Sequence, residues 1–400
     1  MSKKWWIVVI VCPIVLLLLL LIILWNYGLF DGEDQTQLTY RENLTVECYE
    51  SVKLSDFVVI DQGELIEDKE IDTTDLGKKE ISFAYWNSNH RKRKGKFTLD
   101  IVDTTVPYVA LNNRMTVVVG SDRDLEKEIL CADNYDRNPD CHIVGNYDLN
   151  QIGTYELTFE ATDQSANKRN IPFTLSVIEQ PSENNSYEEP TQPSGTAFQK
   201  IIESYKQDHT QIGIDVSKWQ GKIDWEKVKE SGVEFAIIRL GTQKDVGKDS
   251  RLDPYFEENI EKAKQAGIPV GVYYFSYASS VSEAKTQAKW VVEQLKDRSL
   301  ELPIAFDWET FSIFNDLNIS IYNLNEIAEA FIKEVEKEGY DGILYSSKNY
   351  LENMWTYHEE EVWLAHYTDQ TNYEGDYAMW QLSNTGLVPG IEGYVDINVL

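Results

Sequence analysis

Pro303-Ile304-Ala305-Phe306-Asp307-Trp308-Glu309 is an apolar run of strand length that stops in two acids two residues apart. Side chains alternate along a strand, so Ala305, Asp307 and Glu309 share one face while Ile304, Phe306 and Trp308 take the other. On both sides of this run, strand-like segments alternate with helical ones. Ile212–Val216 is followed by helical Asp224–Glu230, Phe235–Arg239 by Pro254–Gln265, and Ile268–Phe275 by Ser282–Leu295. The run itself is followed by helical Leu324–Glu338, then by Gly342–Tyr345. Three further strands, Val362–Tyr367, Tyr377–Leu382 and Tyr394–Asn398, arrive with little room for helices between them. Five strand–helix units and three strands predict a C-terminal α/β barrel over residues 208–400, (β/α)5β3 and TIM-like.

In such a barrel, reactive groups project from the C-terminal ends of the strands. Asp307 and Glu309 sit at one such end, about 6–7 Å apart by the strand rise. Like charges that close raise each other's affinity for protons, so one of the pair can act as an acid. Asp215 ends the strand Ile212–Val216, and Asp396 lies in the last strand. An Asp at a strand end commonly does no more than cap the next helix. Four acids at strand ends, with no histidines at metal-ligand spacing, point instead to glycosidic bond cleavage. No metal or cofactor is implied. Arg239, also at a strand end, is placed to orient a carboxylate or meet substrate. Trp219, Tyr274, Tyr277, Trp308, Tyr345, Trp363, Tyr367 and Trp380 are candidate sugar platforms, with Tyr274, Trp363 and Trp380 favoured and plain core as the competing role.

Asp215-Val-Ser-Lys-Trp-Gln-Gly221, Ile237-Ile-Arg-Leu-Gly241, Gly271-Val-Tyr-Tyr-Phe-Ser-Tyr-Ala278, Phe306-Asp-Trp-Glu309, Trp363-Leu-Ala-His-Tyr367, Trp380-Gln-Leu382 and Gly393-Tyr-Val-Asp-Ile-Asn398 together resemble glycoside hydrolase family 25. The motifs cover about 190 residues in the family's order. The resemblance implies a muramidase that cuts the β-1,4 bond between N-acetylmuramic acid and N-acetylglucosamine. It implies Glu309 as general acid and engages Asp215, Asp307 and Asp396 in substrate binding or charge stabilisation. A wall-binding module that holds glycan without cutting it is the alternative from another class. A hydrolase of some other polysaccharide is the third reading.

The N-terminal half has a different texture. Residues 5–25 carry no charge, enough for about 30 Å of helix, the thickness of a bilayer core. Lys3 and Lys4 precede the run while Asp31, Glu33 and Asp34 follow it, so residues 1–30 are expected to be a signal anchor with a cytoplasmic N-terminus. A cleaved signal peptide is the competing reading, and Leu24-Trp-Asn-Tyr27 lacks the small residues a signal peptidase needs. Residues 31–103 and 104–179 read as two β domains of short alternating runs. Asp75-Leu-Gly-Lys-Lys-Glu-Ile-Ser-Phe83 echoes Leu149-Asn-Gln-Ile-Gly-Thr-Tyr-Glu-Leu-Thr-Phe159, so the two form an imperfect repeat. With Asp103-Thr-Thr-Val-Pro-Tyr108 at the junction, they resemble bacterial immunoglobulin-like repeats, for which a spacer role is expected. Residues 180–207 read as linker. The 37 basic and 67 acidic residues give a net charge of −30, which disfavours nucleic acid as a partner. The basic cluster Arg91–Lys96 then reads as a solvated turn rather than a polyanion site. Cys131 and Cys141 could close a short loop outside the cytoplasm. The expected partners are peptidoglycan glycan strands and, through the N-terminal helix, a membrane.

Overall fold

A computed structural model describes residues 32–180, 195–358 and 360–400. The chain divides into two compact units, residues 1–104 and 105–400.

In the first unit the strands Gly77–Trp86 and Lys92–Val102 form a long antiparallel hairpin. Thr45–Glu47 adds to it in parallel and Glu64–Leu65 antiparallel. Phe57, Phe83, Phe97, Leu99 and Ile101 fill its core, and Cys48 is buried. Lys92–Lys96 of the basic cluster lie along one strand of the hairpin, where Lys96 pairs with Glu80 at 2.8 Å. The second unit opens with the same design. Gly153–Thr162 and Lys168–Ile178 form the hairpin, Arg114–Val118 adds in parallel, and Asp140–Val144 adds antiparallel. A separate pair, Tyr108–Ala110 with Leu130–Ala132, lies beside it. Cys131 and Cys141 are disulfide-bonded.

The rest of the second unit is built on one mixed sheet. Its strands are β1 (Ile212–Val216), β2 (Phe235–Gln243), β3 (Val270–Phe275), β4 (Ile304–Asp307), β5 (Gly342–Ser347), β6 (Val362–Ala365), β7 (Met379–Leu387) and β8 (Val395–Val399). β1 to β7 pair in parallel in chain order. β8 runs antiparallel to both β7 and β1 and closes the ring. Helices α1 (Trp225–Glu230), α2 (Phe256–Gln265), α3 (Val281–Leu295), α4 (Ile321–Glu336) and α5 (Lys348–Asn353) connect the first six strands. Each helix buries one stripe: α3 offers Ala284, Ala288, Val291 and Leu295, and α4 offers Leu324, Ala328, Phe331 and Val335. Ser280 and Ser320 cap their N-termini by accepting from Glu283 and Asn323 N–H.

Two cores result. The outer one, between sheet and helices, holds Ile304, Phe306, Trp308 and Phe331. The inner one holds Phe235, Ile237, Ala305, Ile343, Tyr345, Trp363 and Met379. Gly213 is bare because the Phe235 ring occupies the space a Cβ would need, with ring atoms 2.5 Å from that position.

The expected fold class needs correction in three respects. A TIM barrel is all parallel, with a helix after every strand. Here β8 is antiparallel, β7 and β8 follow β6 with no helix between them among the described residues, and Thr196–Ala197 and Ser250–Leu252 add to the sheet. The domain is therefore a β-rich, barrel-like fold and not a TIM barrel. The two small β regions are not immunoglobulin sandwiches: each centres on one mixed four-stranded sheet with a parallel edge. No helix among the described residues is long and apolar enough to cross a membrane, and the anchor expected at 5–25 lies outside those residues. The expected linker is also shorter in its described part, since Phe198–Tyr205 is a helix whose Phe198 and Ile201 are buried in the outer core.

The disulfide closes a loop with a sequence separation of 10. Chain-entropy reasoning gives such a closure roughly 2–3 kcal/mol. Replacing both Cys131 and Cys141 by Ala is expected to lower the unfolding free energy of the 105–400 unit by about that amount, measured by urea titration followed by circular dichroism.

Candidate active site

The strand ends bring the acids to one mouth of the ring. Asp215 of β1 stands directly opposite Asp396 of β8. Asp307 of β4 lies between Phe275 of β3 and Tyr345 of β5. Asp215 and Asp307 are buried, Asp396 is half-buried, and Glu309, two residues past β4, is exposed. Between Asp307 and Glu309, Trp308 points the other way into the outer core. There its indole donates to the Ala278 carbonyl at 3.0 Å, and Phe311, Phe314 and Trp355 pack edge-on around it. This anchor turns both neighbouring carboxyls toward the mouth.

Asp215 Oδ2 accepts from two amides, Gln381 Nε2 and Asn398 Nδ2, each at 2.8 Å. The orientation of both amides is determined. Asn398 Oδ1 receives the Trp363 indole N–H at 2.8 Å, and an indole can only donate. Gln381 Oε1 receives the hydroxyls of Tyr345 at 2.9 Å and Tyr367 at 3.0 Å. Each amide must therefore turn its N–H2 to Asp215.

Burial dominates the electrostatics. It pushes Asp215 up to about 6, against the two amide donors that pull it down. Burial also raises Asp307 well above the carboxylate range, helped by the charges of Glu309 and Asp215 and opposed by Arg239. Asp307 Oδ1 is buried with no hydrogen-bond donor among the described residues, so negative charge there is costly until a bound group brings a donor or positive charge to it. Although Glu309 is open to solvent on one side, loss of water around its carboxyl raises it, and Asp215 adds to the effect. Asp396 reaches about 8 through burial, then Asp215, then Glu309. The four cannot all be ionised together, so the mouth holds protons at neutral pH.

Arg239 is committed elsewhere: its guanidinium contacts Asp253 Oδ2 through Nε at 2.7 Å and through Nη2 at 2.6 Å. It acts on the acids through its charge. The aromatic platforms also need correction. Tyr274 is wholly buried in the outer core, its hydroxyl 2.7 Å from Ser250, and Trp380 packs outward against Tyr205. Neither can meet a glycan. Trp363 is inside the ring but buried, serving Asn398, and Tyr345 is buried in service of Gln381. Trp308 is buried as well. The open rings are Trp219, 77% exposed in the loop after β1, and Tyr367, 52% exposed with its hydroxyl on Gln381. Sequence reasoning missed Tyr273, Gln381, Asn398 and Asp253. Tyr273 faces the acids, and burial pushes its phenol far up, with Asp215, Asp307 and Asp396 adding to the rise. Asn398 was findable, since it shares strand parity with Asp396.

Comparison with known proteins supplies the relatives. The family model described as glycosyl hydrolases family 25 matches residues 214–391. YegX of Escherichia coli K12 is 33% identical over 202 residues, 48% of this chain and 70% of that protein. Lysozyme M1 of Streptomyces globisporus is 30% identical over 204 residues, 46% of this chain and 66% of that protein. Among solved structures, the modular autolysin LytC from Streptococcus pneumoniae, in complex with a synthetic peptidoglycan ligand, is 22% identical with a TM-score of 0.43. The match covers 60% of this chain and 56% of that one.

The raised acids link stability to pH. An unfolded Asp loses its proton near pH 4, whereas folded Asp396 keeps its proton to about 8. Across that window the folded state binds more protons, so stability falls as pH rises. Asp396→Asn removes this contribution. Its melting temperature relative to the parent protein is expected to climb steadily from pH 5 to pH 8.5 in calorimetric scans; a constant difference would contradict the raised acid.

Proposed function

The chain belongs to glycosyl hydrolases family 25 and is a glycoside hydrolase, and from that premise we propose that it cleaves the β-1,4 bond between N-acetylmuramic acid and N-acetylglucosamine in bacterial peptidoglycan. The observation that carries the proposal is the set of four carboxyls at one mouth, every one raised above the usual range. A glycosidase needs a carboxyl that still holds its proton near neutral pH, next to another that can bear negative charge.

Glu309, open to the groove, gives its proton to the glycosidic oxygen as the bond breaks. Asp307 stabilises the cationic sugar, or the oxazolinium formed when the sugar's own acetamido group attacks. Asp215, fixed by two amides, is the rigid negative pole, and Asp396 across from it shares the proton load. Tyr367 and Trp219 are the exposed rings on which sugar faces can stack. The name of Lysozyme M1 supports the same substrate.

We place the hydrolase at the outer face of the cell membrane. The uncharged run at 5–25 and the Cys131–Cys141 disulfide support an extracytoplasmic location. Protease digestion of intact protoplasts should then remove residues 105–400.

The full chain purified in detergent, incubated with peptidoglycan, is expected to release fragments with muramic acid at their new reducing ends, read by mass spectrometry after borohydride reduction. Glu309→Gln should lower the rate by about 10²–10⁴ while binding to insoluble wall is retained. Glucosamine ends would mean a different bond, and binding without any release would mean a wall-binding module.

A further inference from the structure

The small β region at 107–178 was expected to be a spacer, yet it is bonded to the segment that follows Glu309. That segment runs from Thr310 through a 3-10 turn, Phe311–Asp316, to the start of α4. Asn315 grips the neighbouring strand twice: its Oδ1 accepts from Cys131 N–H at 3.1 Å and its Nδ2 donates to the Ile129 carbonyl at 2.9 Å. Leu130 and Ala132 from that strand are buried in the same core as Trp308, Phe311 and Phe314.

At the far end of the segment, Ile321 N–H donates to the Asp133 carbonyl at 2.8 Å and Tyr322 N–H to the Asn134 carbonyl at 3.3 Å. These are N-terminal donors of α4, which have no acceptor inside their own helix. From α5, Asn349 Nδ2 donates to the Tyr108 hydroxyl at 3.0 Å. The adjacent Tyr350 stacks on Phe311 with ring centres 3.5 Å apart. Burial raises the Tyr350 phenol, and the charges of Tyr108 and Glu309 add to the rise.

The carboxyl of Glu309 thus sits on a segment held at its start by Trp308, in its middle by Asn315, and at its end by the capped N-terminus of α4. We infer that the β region is a working part of the hydrolase, and that Asn315 and Tyr108 are positioning residues that hold the Glu309 segment in register with the groove. This rests on Glu309 being the proton donor. A spacer would need none of these bonds, and its sheet would carry no residues of the barrel's core. A shift of about 1 Å in a reacting group is enough to cost as much as a hundredfold in rate.

The test uses the full chain with Asn315→Ala, which removes both bonds, and Tyr108→Phe, which removes one acceptor and keeps the ring. Expected for Asn315→Ala is a fall in kcat of about tenfold or more with KM little changed, and a shifted limb in the pH–rate profile. Amide hydrogen exchange over 309–322 should rise while β1 and β8 remain protected. Tyr108→Phe should show the same pattern to a smaller degree. Unchanged kcat, pH profile and exchange in both variants would overturn the inference. So would faster exchange throughout the ring, which would mean general loosening. A parent protein that releases no wall fragments would instead defeat the proposed function, and local exchange would still decide whether the β region holds the segment.

Discussion

Two side-chain amides meeting on one oxygen of Asp215 are the arrangement on which the site depends. Each amide belongs to a strand near the end of the barrel, Gln381 to β7 and Asn398 to β8, and each is oriented from behind by groups that donate into its carbonyl oxygen. Asp215 therefore has little freedom. The other three acids titrate in the field of a carboxylate whose place is fixed by Trp363, Tyr345 and Tyr367 at one remove. Aromatic residues inside the ring do their work through hydrogen bonds as much as through bulk. That is why Tyr345 and Trp363, which look like sugar platforms in the sequence, are absent from the exposed surface.

Crowding four carboxyls where water is scarce destabilises the folded chain, and the outer core offsets it. Burying a single Leu, Ile or Phe contributes about 1.5–3 kcal/mol, and α3 and α4 alone bury Val291, Leu295, Leu324, Ile327, Phe331 and Val335. Division of labour follows from strand parity. Outward residues of β4 (Ile304, Phe306) and Trp308 beyond it belong to stability. Ala305 gives room inside, and Asp307 and Glu309 turn to the mouth where the acids meet.

How much could be read from sequence depends on what sets the phase of a strand. In β4 the polar residues mark the inner face at the strand end, so Asp307 and Glu309 were legible. In β3 the run Val270-Gly-Val-Tyr-Tyr-Phe275 is apolar on both faces, and hydropathy cannot say which tyrosine turns inward. The pairing of Tyr273 with Arg239 and with Ala305 decides it. β7 has the same ambiguity, where Trp380 draws the eye and Gln381 is the residue that holds Asp215. The imperfect repeat at the N-terminal end was legible as two rounds of alternating strands, but the matching hairpin in each is seen only in the structure. Its sheet partners were not, since parallel edge strands depend on pairings distant in sequence. The hold of Asn315 on residues 129–131 spans more than 180 positions and leaves no local trace.

Ring closure also depends on the last strands. β1, which carries Asp215, is completed by β8, the strand nearly two hundred residues later that brings Asp396 and Asn398. A chain that ends before β7 and β8 has neither amide to hold Asp215 nor the acid that faces it. Contacts of such sequence separation carry a large loop-closure cost and slow folding. Closing the ring and completing the surroundings of Asp215 are thus one event, and a chain cut short before Met379 lacks both.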